Sequence, residues 1–312
     1  MGGGSAIKQY ERRFGQGGSV YEKESTIHDE RCEKYEAKTI RVFGEYEIRK
    51  TEKEEYEVLK KGELIGKFSK AIIEEDRFLF PLSRGTLLEV SEEGRREITT
   101  SRKAEICGLI ASDGGLYSTR EHPDYEVHFT SKHGELIERY NDLFKEVYGI
   151  EPHVYHKRKR DGREYFEART YDRGVYFDLL DLGIKPKAFK FHVPFKHLDK
   201  DGLKAYLRGF FSGDGNISKS EEGFSIKISS TCEEGIKELW EAFKLLGFHP
   251  NPIRVSKREP PLHDYYVFSI PEEEYVRFAE EIGTYHPGRA KRLESIRLKY
   301  KSEEEKREGR EG

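Results

Sequence analysis

The pattern of hydrophobic and polar positions occurs twice in the C-terminal two-thirds of this chain. Apolar and polar residues alternate at 125–130 and again at 224–229, which predicts strands with one buried face. Each strand leads into an amphipathic helix, at 135–148 and at 234–246, and a glycine follows each helix. Because glycine readily adopts the left-handed conformation that ends a helix, both helices are expected to stop there.

Two more strands and a short helix complete each half. In the first half, Asp161-Gly162 separates two alternating runs, and an Asp-Gly pair in that position is typical of a tight hairpin. In the second half, a loop containing Pro260-Pro261 separates the two runs. The predicted strands are 153–159, 164–171, 253–257 and 265–270, and the predicted closing helices are 174–182 and 272–282.

The order of elements is therefore αββαββα, twice, which predicts an α+β fold of two pseudo-symmetric halves at 101–200 and 201–300. Residues 38–100 contain short strands separated by glycine, proline and serine, and predict a small β-rich or α+β domain of unassigned role. Residues 1–37 have weak periodicity, which indicates a poorly ordered segment or one short helix near its end. Residues 301–312 are predicted to be a charged tail.

Composition narrows the class of protein. The 312 residues are 35% hydrophobic and 37% charged, which is polar but sufficient for the cores of two or three domains. No stretch of about 18 apolar residues exists, so no membrane-spanning helix is expected. Cys32, Cys107 and Cys232 are scattered, which argues against a disulfide framework or a zinc site and fits a cytoplasmic protein. Many charged residues beside one Met and one Trp indicate an archaeal, thermophilic type, or simply a charged mesophilic surface.

Each half begins with an apolar helix that ends in Asp-Gly, at Asp113 and at Asp214. A carboxylate at a helix C-terminus is unfavourable by roughly 0.3–1 kcal/mol, so two copies predict acids kept for a function such as binding divalent cations. Gly108 and Gly209 lie mid-helix, where glycine costs about 1 kcal/mol relative to alanine. Such glycines indicate close backbone approach, so we expect the two helices to pack together and their carboxylates to meet.

The chemistry that such a pair supports depends on its surroundings. With no cysteine or histidine cluster nearby in the sequence, two carboxylates favour a hard cation such as Mg²⁺. The net charge of −3 does not indicate a nucleic-acid-binding protein, but residues 156–173 are locally basic and could line one face. Carboxylate-bound metals beneath a basic groove suit phosphodiester hydrolysis, because they activate a water and stabilise the leaving oxygen.

The two helix ends read Gly108-Leu109-Ile110-Ala111-Ser112-Asp113-Gly114 and Leu207-Arg208-Gly209-Phe210-Phe211-Ser212-Gly213-Asp214-Gly215. These segments resemble the motifs of LAGLIDADG homing endonucleases in their single-chain, two-repeat form. The resemblance covers roughly residues 103–300. It implies a saddle of two four-stranded antiparallel sheets over double-stranded DNA, and a monomer that cuts both strands of a long, nearly asymmetric target to leave short 3′ overhangs. It also implies Mg²⁺ as cofactor, with Mn²⁺ as a substitute.

The resemblance assigns roles residue by residue. It makes Asp113 and Asp214 the catalytic metal ligands, with Gly114 and Gly215 beside them in the metal sites. At the end of the second strand of each half, the family often has Gln-Lys or similar residues. The first half has Ser131-Lys132 at this position, which makes Lys132 a catalytic helper. The second half has Ser230-Thr231, without a basic residue, so a nickase or a degenerate enzyme remains an alternative. Further candidate basic helpers are Lys187, Lys190, Arg289 and Lys291.

Polar positions of the strands are expected to read bases, while the basic hairpin is expected to grip phosphates. The alternative is that this hairpin is a solvated tip and that His128 is an ordinary surface residue. The predicted DNA contacts are His128, Lys157, Arg158, Lys159, Arg160, Arg163, Arg169, Lys227, Arg254, Lys257 and Arg258.

Two other functions remain open from the sequence. One is a catalytically silent DNA-binding protein, and the other is an RNA-splicing maturase of the same fold with intron RNA as its partner. The chain begins with Met and ends in Arg310-Glu311-Gly312, unlike an intein, so a free-standing or intron-encoded protein is expected.

Overall fold

The computed structural model describes residues 37–118, 124–184, 190–220, 223–259 and 263–311. The expectation for the N-terminal segment, Cys32 and the candidate helper Lys187 lie outside these residues. In the part of the chain that is described, no helix is both long and apolar enough to cross a membrane.

The first described residues form eight strands in two four-stranded antiparallel sheets, as the β-rich pattern predicts. Each sheet is a simple meander, β1-β2-β3-β4 and β5-β6-β7-β8. The side chains of Phe43, Ile48, Val58, Phe80 and Val90 form a shared core. The strands are β1 (Ala37–Phe43), β2 (Tyr46–Thr51), β3 (Tyr56–Lys60), β4 (Glu63–Phe68), β5 (Ile72–Ile73), β6 (Arg77–Pro81), β7 (Thr86–Ser91) and β8 (Gly94–Thr99).

The first repeat follows the predicted order of elements. Its strands form one antiparallel sheet in the order β11-β12-β10-β9. The helix α2 ends before Gly149, which has the left-handed φ of 68° that the sequence predicts. The elements are α1 (Ser101–Asp113), β9 (Gly114–Tyr117), β10 (Glu126–Ser131), α2 (Gly134–Tyr148), β11 (His153–Arg158), β12 (Glu164–Tyr171) and α3 (Arg173–Asp181).

The second repeat has the same order, so the fold of two αββαββα halves is confirmed. Its sheet has the order β13-β14-β16-β15, which matches the first sheet strand for strand. The predicted last helix is divided, because a 3₁₀ turn (Glu272–Glu274) precedes its α-helical part. The elements are α4 (Lys200–Asp214), β13 (Gly215–Ser220), β14 (Gly223–Ser230), α5 (Glu233–Leu245), β15 (Arg254–Ser256), β16 (Tyr265–Ile270) and α6 (Tyr275–Glu281).

One long helix, α7 (Pro287–Glu311), ends the chain. It includes most of the residues that the sequence indicated as a separate charged tail. Leu293 and Ile296 are buried in the core of the repeats, and the hydroxyl of Tyr300 donates to Glu272. The sequence did not predict this helix because few apolar residues mark its packed side.

Each sheet has one apolar and one polar face. In β10, Val127 and Phe129 are buried in the core, while His128 lies on the opposite face. In β14, Ile226 and Ile228 are buried and Lys227 is exposed. The strict alternation of side chains along a strand produces both faces.

The motif helices α1 and α4 pack directly on each other at their glycines. A methyl group added to Gly108 would lie 2.1 Å from the main-chain oxygen of Tyr206, and one added to Gly209 would lie 2.4 Å from that of Glu105. The predicted close backbone approach is confirmed. The C-terminal ends also meet, because a methyl group on Gly213 would lie 3.0 Å from Oδ2 of Asp113.

The N-terminal strands contact both repeats near the opposite ends of the motif helices. The Lys103 ammonium group is buried, 2.8 Å from Asp178 and 3.1 Å from the Thr86 hydroxyl. Arg77 pairs with Asp199, which caps the start of α4, at 3.0 Å. A helix of 15 residues is about 22 Å long, so this contact lies far from Asp214.

Candidate metal and nucleic-acid site

Asp113 and Asp214 meet where α1 and α4 end side by side. Each helix leads without a loop into the first strand of its sheet, and a glycine occupies each junction. A methyl group on Gly114 would lie 2.5 Å from the main-chain oxygen of His128, and one on Gly215 would lie 2.2 Å from the Phe211 ring. Close packing therefore explains both glycines. Both carboxylates line one open cleft between the two halves.

The two carboxylates resist ionisation. Burial of the carboxylate raises the pKa of Asp214 to about 7, and the nearby negative charge of Asp113 adds to this rise. Burial also raises the pKa of Asp113, although the charges of Arg289 and Lys132 oppose the shift. Both side chains still have contact with solvent at the open cleft. Two crowded carboxylates that a small cation can reach are suited to binding that cation.

Arg289, one of the predicted basic helpers, lies in this cleft at the start of α7. Its guanidinium group donates to the main-chain oxygens of Phe211, Ser212 and Gly213, at 3.0, 2.6 and 2.9 Å. These are carbonyl groups of the last turn of α4, which has no basic residue of its own there. Burial lowers the pKa of Arg289 to about 10, so the group stays charged at neutral pH.

The other helpers are divided between two sides of the carboxylate pair. Lys132 is exposed and lines the same cleft as Asp113 and Arg289. Lys190 lines a second depression beside Asp214, together with the side chains of Ser230 and Thr231. Lys291 is exposed on α7 and lines neither depression.

Two histidines that the sequence did not indicate also line the cleft. The rings of His133 and His286 are 4.2 Å apart between centroids. Burial, together with the nearby charge of Arg289, lowers the pKa of His286 to about 4, so this ring is neutral at physiological pH. His133 adjoins Lys132 in sequence, but no local pattern relates it to His286.

On the polar face of the first sheet, the predicted DNA contacts are already ion-paired. Arg169 lies 2.9 Å from both Glu126 and Glu167, and Lys157 also pairs with Glu167. His128 lies on the same face, and its Nδ1 is 3.2 Å from the carboxylate of Glu126. A contact from Arg169 or Lys157 to DNA therefore requires these ion pairs to open.

The basic hairpin does not present all its charges on one surface. Lys159 and Arg163 line the carboxylate cleft, and Arg163 also pairs with Asp161 at 2.5 Å. Arg158 instead donates to the main-chain oxygen of Gly162 at 3.2 Å, and Arg160 is exposed in the turn. Lys159, Arg160 and Arg163 belong to the turn between β11 and β12, so strand alternation does not align them, and only part of the run faces the cleft.

The second sheet has a less charged polar face. Lys227 and Arg254 are exposed on it, among serines and Asn216. Lys257 pairs with Asp264 at 2.5 Å, and the guanidinium group of Arg258 lies 4.6 Å from the centre of the Tyr265 ring. Lys227 and Arg254 are thus better placed for a nucleic acid than Lys257 and Arg258.

The donor set fits a hard cation held partly by other ligands. Among the described residues, no group of three or more His, Cys, Asp or Glu side chains is arranged to hold a metal ion. Asp113 and Asp214 supply only carboxylate oxygens, which Mg²⁺ and Mn²⁺ accept. Mg²⁺ commonly keeps several waters and takes substrate phosphate oxygens, so two carboxylates are a sufficient protein contribution.

Comparison with known proteins places the site in a family context. A family model described as a LAGLIDADG-like domain matches residues 101–177 and 201–283, just over half of the chain. The structure is similar to that of I-DmoI in complex with DNA and Ca, with a TM-score of 0.47 and 18% sequence identity. This similarity covers 62% of this chain and 97% of that chain. The structure is also similar to that of the N-terminal LAGLIDADG domain of DUF199/WhiA, with a TM-score of 0.42 and 14% identity, covering 59% of this chain and 81% of that chain.

Curated relatives are of two kinds. Glutamine–fructose-6-phosphate aminotransferase [isomerizing] of Methanocaldococcus jannaschii is 25% identical over 206 residues, covering 65% of this chain and 18% of the relative. The probable cell division protein WhiA of Desulforamulus reducens is 23% identical over 167 residues, covering 51% and 50%. The chain therefore spans half or less of the length of these two relatives.

Proposed function

We propose that this chain, which belongs to the LAGLIDADG-like domain family, is a metal-dependent endonuclease that cuts both strands of double-stranded DNA. The observation that carries the proposal is the meeting of Asp113 and Asp214 at the ends of two glycine-packed helices, in an open polar cleft. The target is long and nearly asymmetric, and the products have short 3′ overhangs. The protein acts as a monomer in the cytoplasm.

In this proposal Asp113 and Asp214 would hold Mg²⁺ or Mn²⁺, which would supply an activated water and stabilisation of the leaving oxygen of the phosphodiester. Lys132 orients a phosphate or the attacking water on the first side, and Lys190 is the basic group on the second side. The Thr130 hydroxyl donates to the main-chain oxygen of Asp113 at 2.9 Å and steadies the junction after α1.

The polar faces of the two sheets bind the duplex. Lys227 and Arg254 are exposed and make phosphate or base contacts, while Lys159 and Arg163 hold the backbone near the cleft. Because these contacts release counterions, the affinity for DNA falls steeply as salt rises.

A second candidate function is DNA binding without cleavage. Three observations favour it: Ser230 and Thr231 replace a basic residue on one side, Arg289 places a positive charge beside the carboxylates, and several relatives are named as probable cell division proteins. An RNA-splicing maturase with intron RNA as partner is a variant of this alternative.

The deciding experiment incubates the protein with a randomised DNA duplex library, with Mg²⁺ or with EDTA, and sequences the ends that form. Mg²⁺-dependent ends with short 3′ overhangs at one long site support the endonuclease. In Asp214→Asn these ends should disappear while the affinity for the site is retained. Asp142→Asn is the matched control, since Asp142 is an exposed carboxylate on α2. Enrichment by binding with no cut supports the second function.

A further inference from the structure

We infer that Arg289 is a built-in counter-ion of Asp113 and Asp214, which keeps divalent cations weakly bound until DNA phosphates join the site. The inference rests on the proposed function, because it concerns the same carboxylates. The free protein binds a divalent cation only weakly, and DNA phosphates complete the metal site when the nucleic acid binds.

Arg289 is tied to the last turn of α4, beside Asp214 and in the same cleft as both carboxylates. Three main-chain oxygens of α4 accept hydrogen bonds from its guanidinium group. Its own main-chain N–H donates to Nδ1 of His286 at 3.3 Å. The main-chain oxygen of Phe211 also accepts from the N–H of Gly215, but the carbonyl groups of Ser212 and Gly213 lie in the last turn of α4, where partners within the helix are lacking. Moving Arg289 away would leave these two unsatisfied. The positive charge is therefore fixed in place.

When Asp113 and Asp214 are both ionised, the charges of the free site nearly cancel. The two carboxylates then bring two negative charges, and Arg289, which lines the same cleft, acts on both of them. Lys132 adds a second positive charge on the side of Asp113. A divalent cation entering this site gains little attraction, because the nearby positive charges repel it.

DNA changes this balance. Each scissile phosphate adds a negative charge and oxygen ligands for the cation. Lys132 is exposed and has a long, flexible side chain, so it can turn toward a phosphate. Arg289 is held by the helix and cannot do so. The free protein is consequently protected from metal binding mainly by Arg289.

The test measures Mn²⁺ binding to the free full-length protein by the electron paramagnetic resonance signal of unbound Mn²⁺. Arg289→Gln should bind Mn²⁺ at least about tenfold more tightly than the wild type, and Arg289→Lys should resemble the wild type. Arg292→Gln is the matched control, because Arg292 on the same helix donates to the main-chain oxygen of Ile217. Adding Asp113→Asn and Asp214→Asn to Arg289→Gln should abolish the tight binding.

The outcomes separate the inference from the proposed function. If Arg289→Gln folds as well as Arg292→Gln but binds Mn²⁺ no more tightly than the wild type, Arg289 is only a helix cap and the inference is wrong. The metal site still stands in that case if both proteins bind Mn²⁺ through the two aspartates. If no variant binds Mn²⁺ through the aspartates, with or without DNA, both fail.

Discussion

The glycine contact between the motif helices offers a sharp test of the packing. In Gly108→Ala the new methyl group would lie 2.1 Å from the main-chain oxygen of Tyr206 and 2.8 Å from the main-chain nitrogen of Phe210. Both neighbours are backbone atoms, so no side chain can rotate away. The helices must separate, and we expect the junction that joins Asp113 to Asp214 to loosen with them.

The magnitude follows from two opposing effects. Overpacking a well-packed contact typically costs 1–3 kcal/mol, whereas alanine improves helix propensity by about 1 kcal/mol over glycine. Because the close neighbours are backbone, we expect the upper part of the range and a net loss of about 2 kcal/mol. For a unit of about 200 residues this lowers Tm by roughly 4–8 °C.

The assay is thermal unfolding by calorimetry, with Gly134→Ala as the matched control. Gly134 opens α2, and a methyl group there would meet no atom within 4 Å. The control should unfold at or slightly above the wild-type temperature. If Gly108→Ala unfolds at the same temperature as Gly134→Ala, the two helices are not packed as closely as we describe.

Four further variants test the site, the sheet faces and the contact with the N-terminal strands. Lys103→Met should lower the unfolding free energy by about 3 kcal/mol in urea, because it breaks a buried ion pair with Asp178; an unchanged midpoint would contradict that pairing. The raised pKa of Asp214, about 7, means that the folded state binds an extra proton, so its contribution to stability is lost as pH rises from about 4 through 7. Tm measured across this range should therefore fall less in Asp214→Asn than in the wild type, and parallel curves would refute the shift. Lys132→Met should slow the cut of one DNA strand far more than the other in a strand-resolved assay, whereas equal slowing would show that both sides use it. Replacing both Lys227 and Arg254 with Ala should weaken DNA binding and reduce the salt slope by about 0.9 per lost phosphate contact, and an unchanged slope would place the DNA elsewhere.

Several features of the site could be predicted from the sequence because local patterns encode them. The paired Asp-Gly helix ends and the mid-helix glycines predict that Asp113 and Asp214 lie together, and the structure brings them into one cleft. Alternation along the strands predicts which side chains are buried and which lie on the polar faces. Each of these inferences needs only the spacing of neighbouring residues and the geometry of a helix or strand.

The contacts of the basic residues could not be predicted from the sequence, because the charge of a side chain does not determine which group it contacts. Lys157 and Arg169 were predicted as DNA contacts. The folded sheet pairs Lys157 with Glu167 of the adjacent strand, and it pairs Arg169 with Glu126 of the adjacent strand and with Glu167 on its own strand. The hairpin run from Lys157 to Arg160 was considered as one patch, but only Lys157 and Arg158 lie on β11, where successive side chains point to opposite faces, and the other two lie in the turn.

What the sequence determined by itself is the order of elements, the crossing of two glycine-bearing helices and the pair of carboxylates at their ends. Only the tertiary structure placed Arg289 on the last turn of α4, through bonds to residues as far as 78 positions away, and set His286 against His133. These contacts join separate elements of the chain. Local spacing cannot encode them, because they depend on how the completed repeats and the last helix pack together.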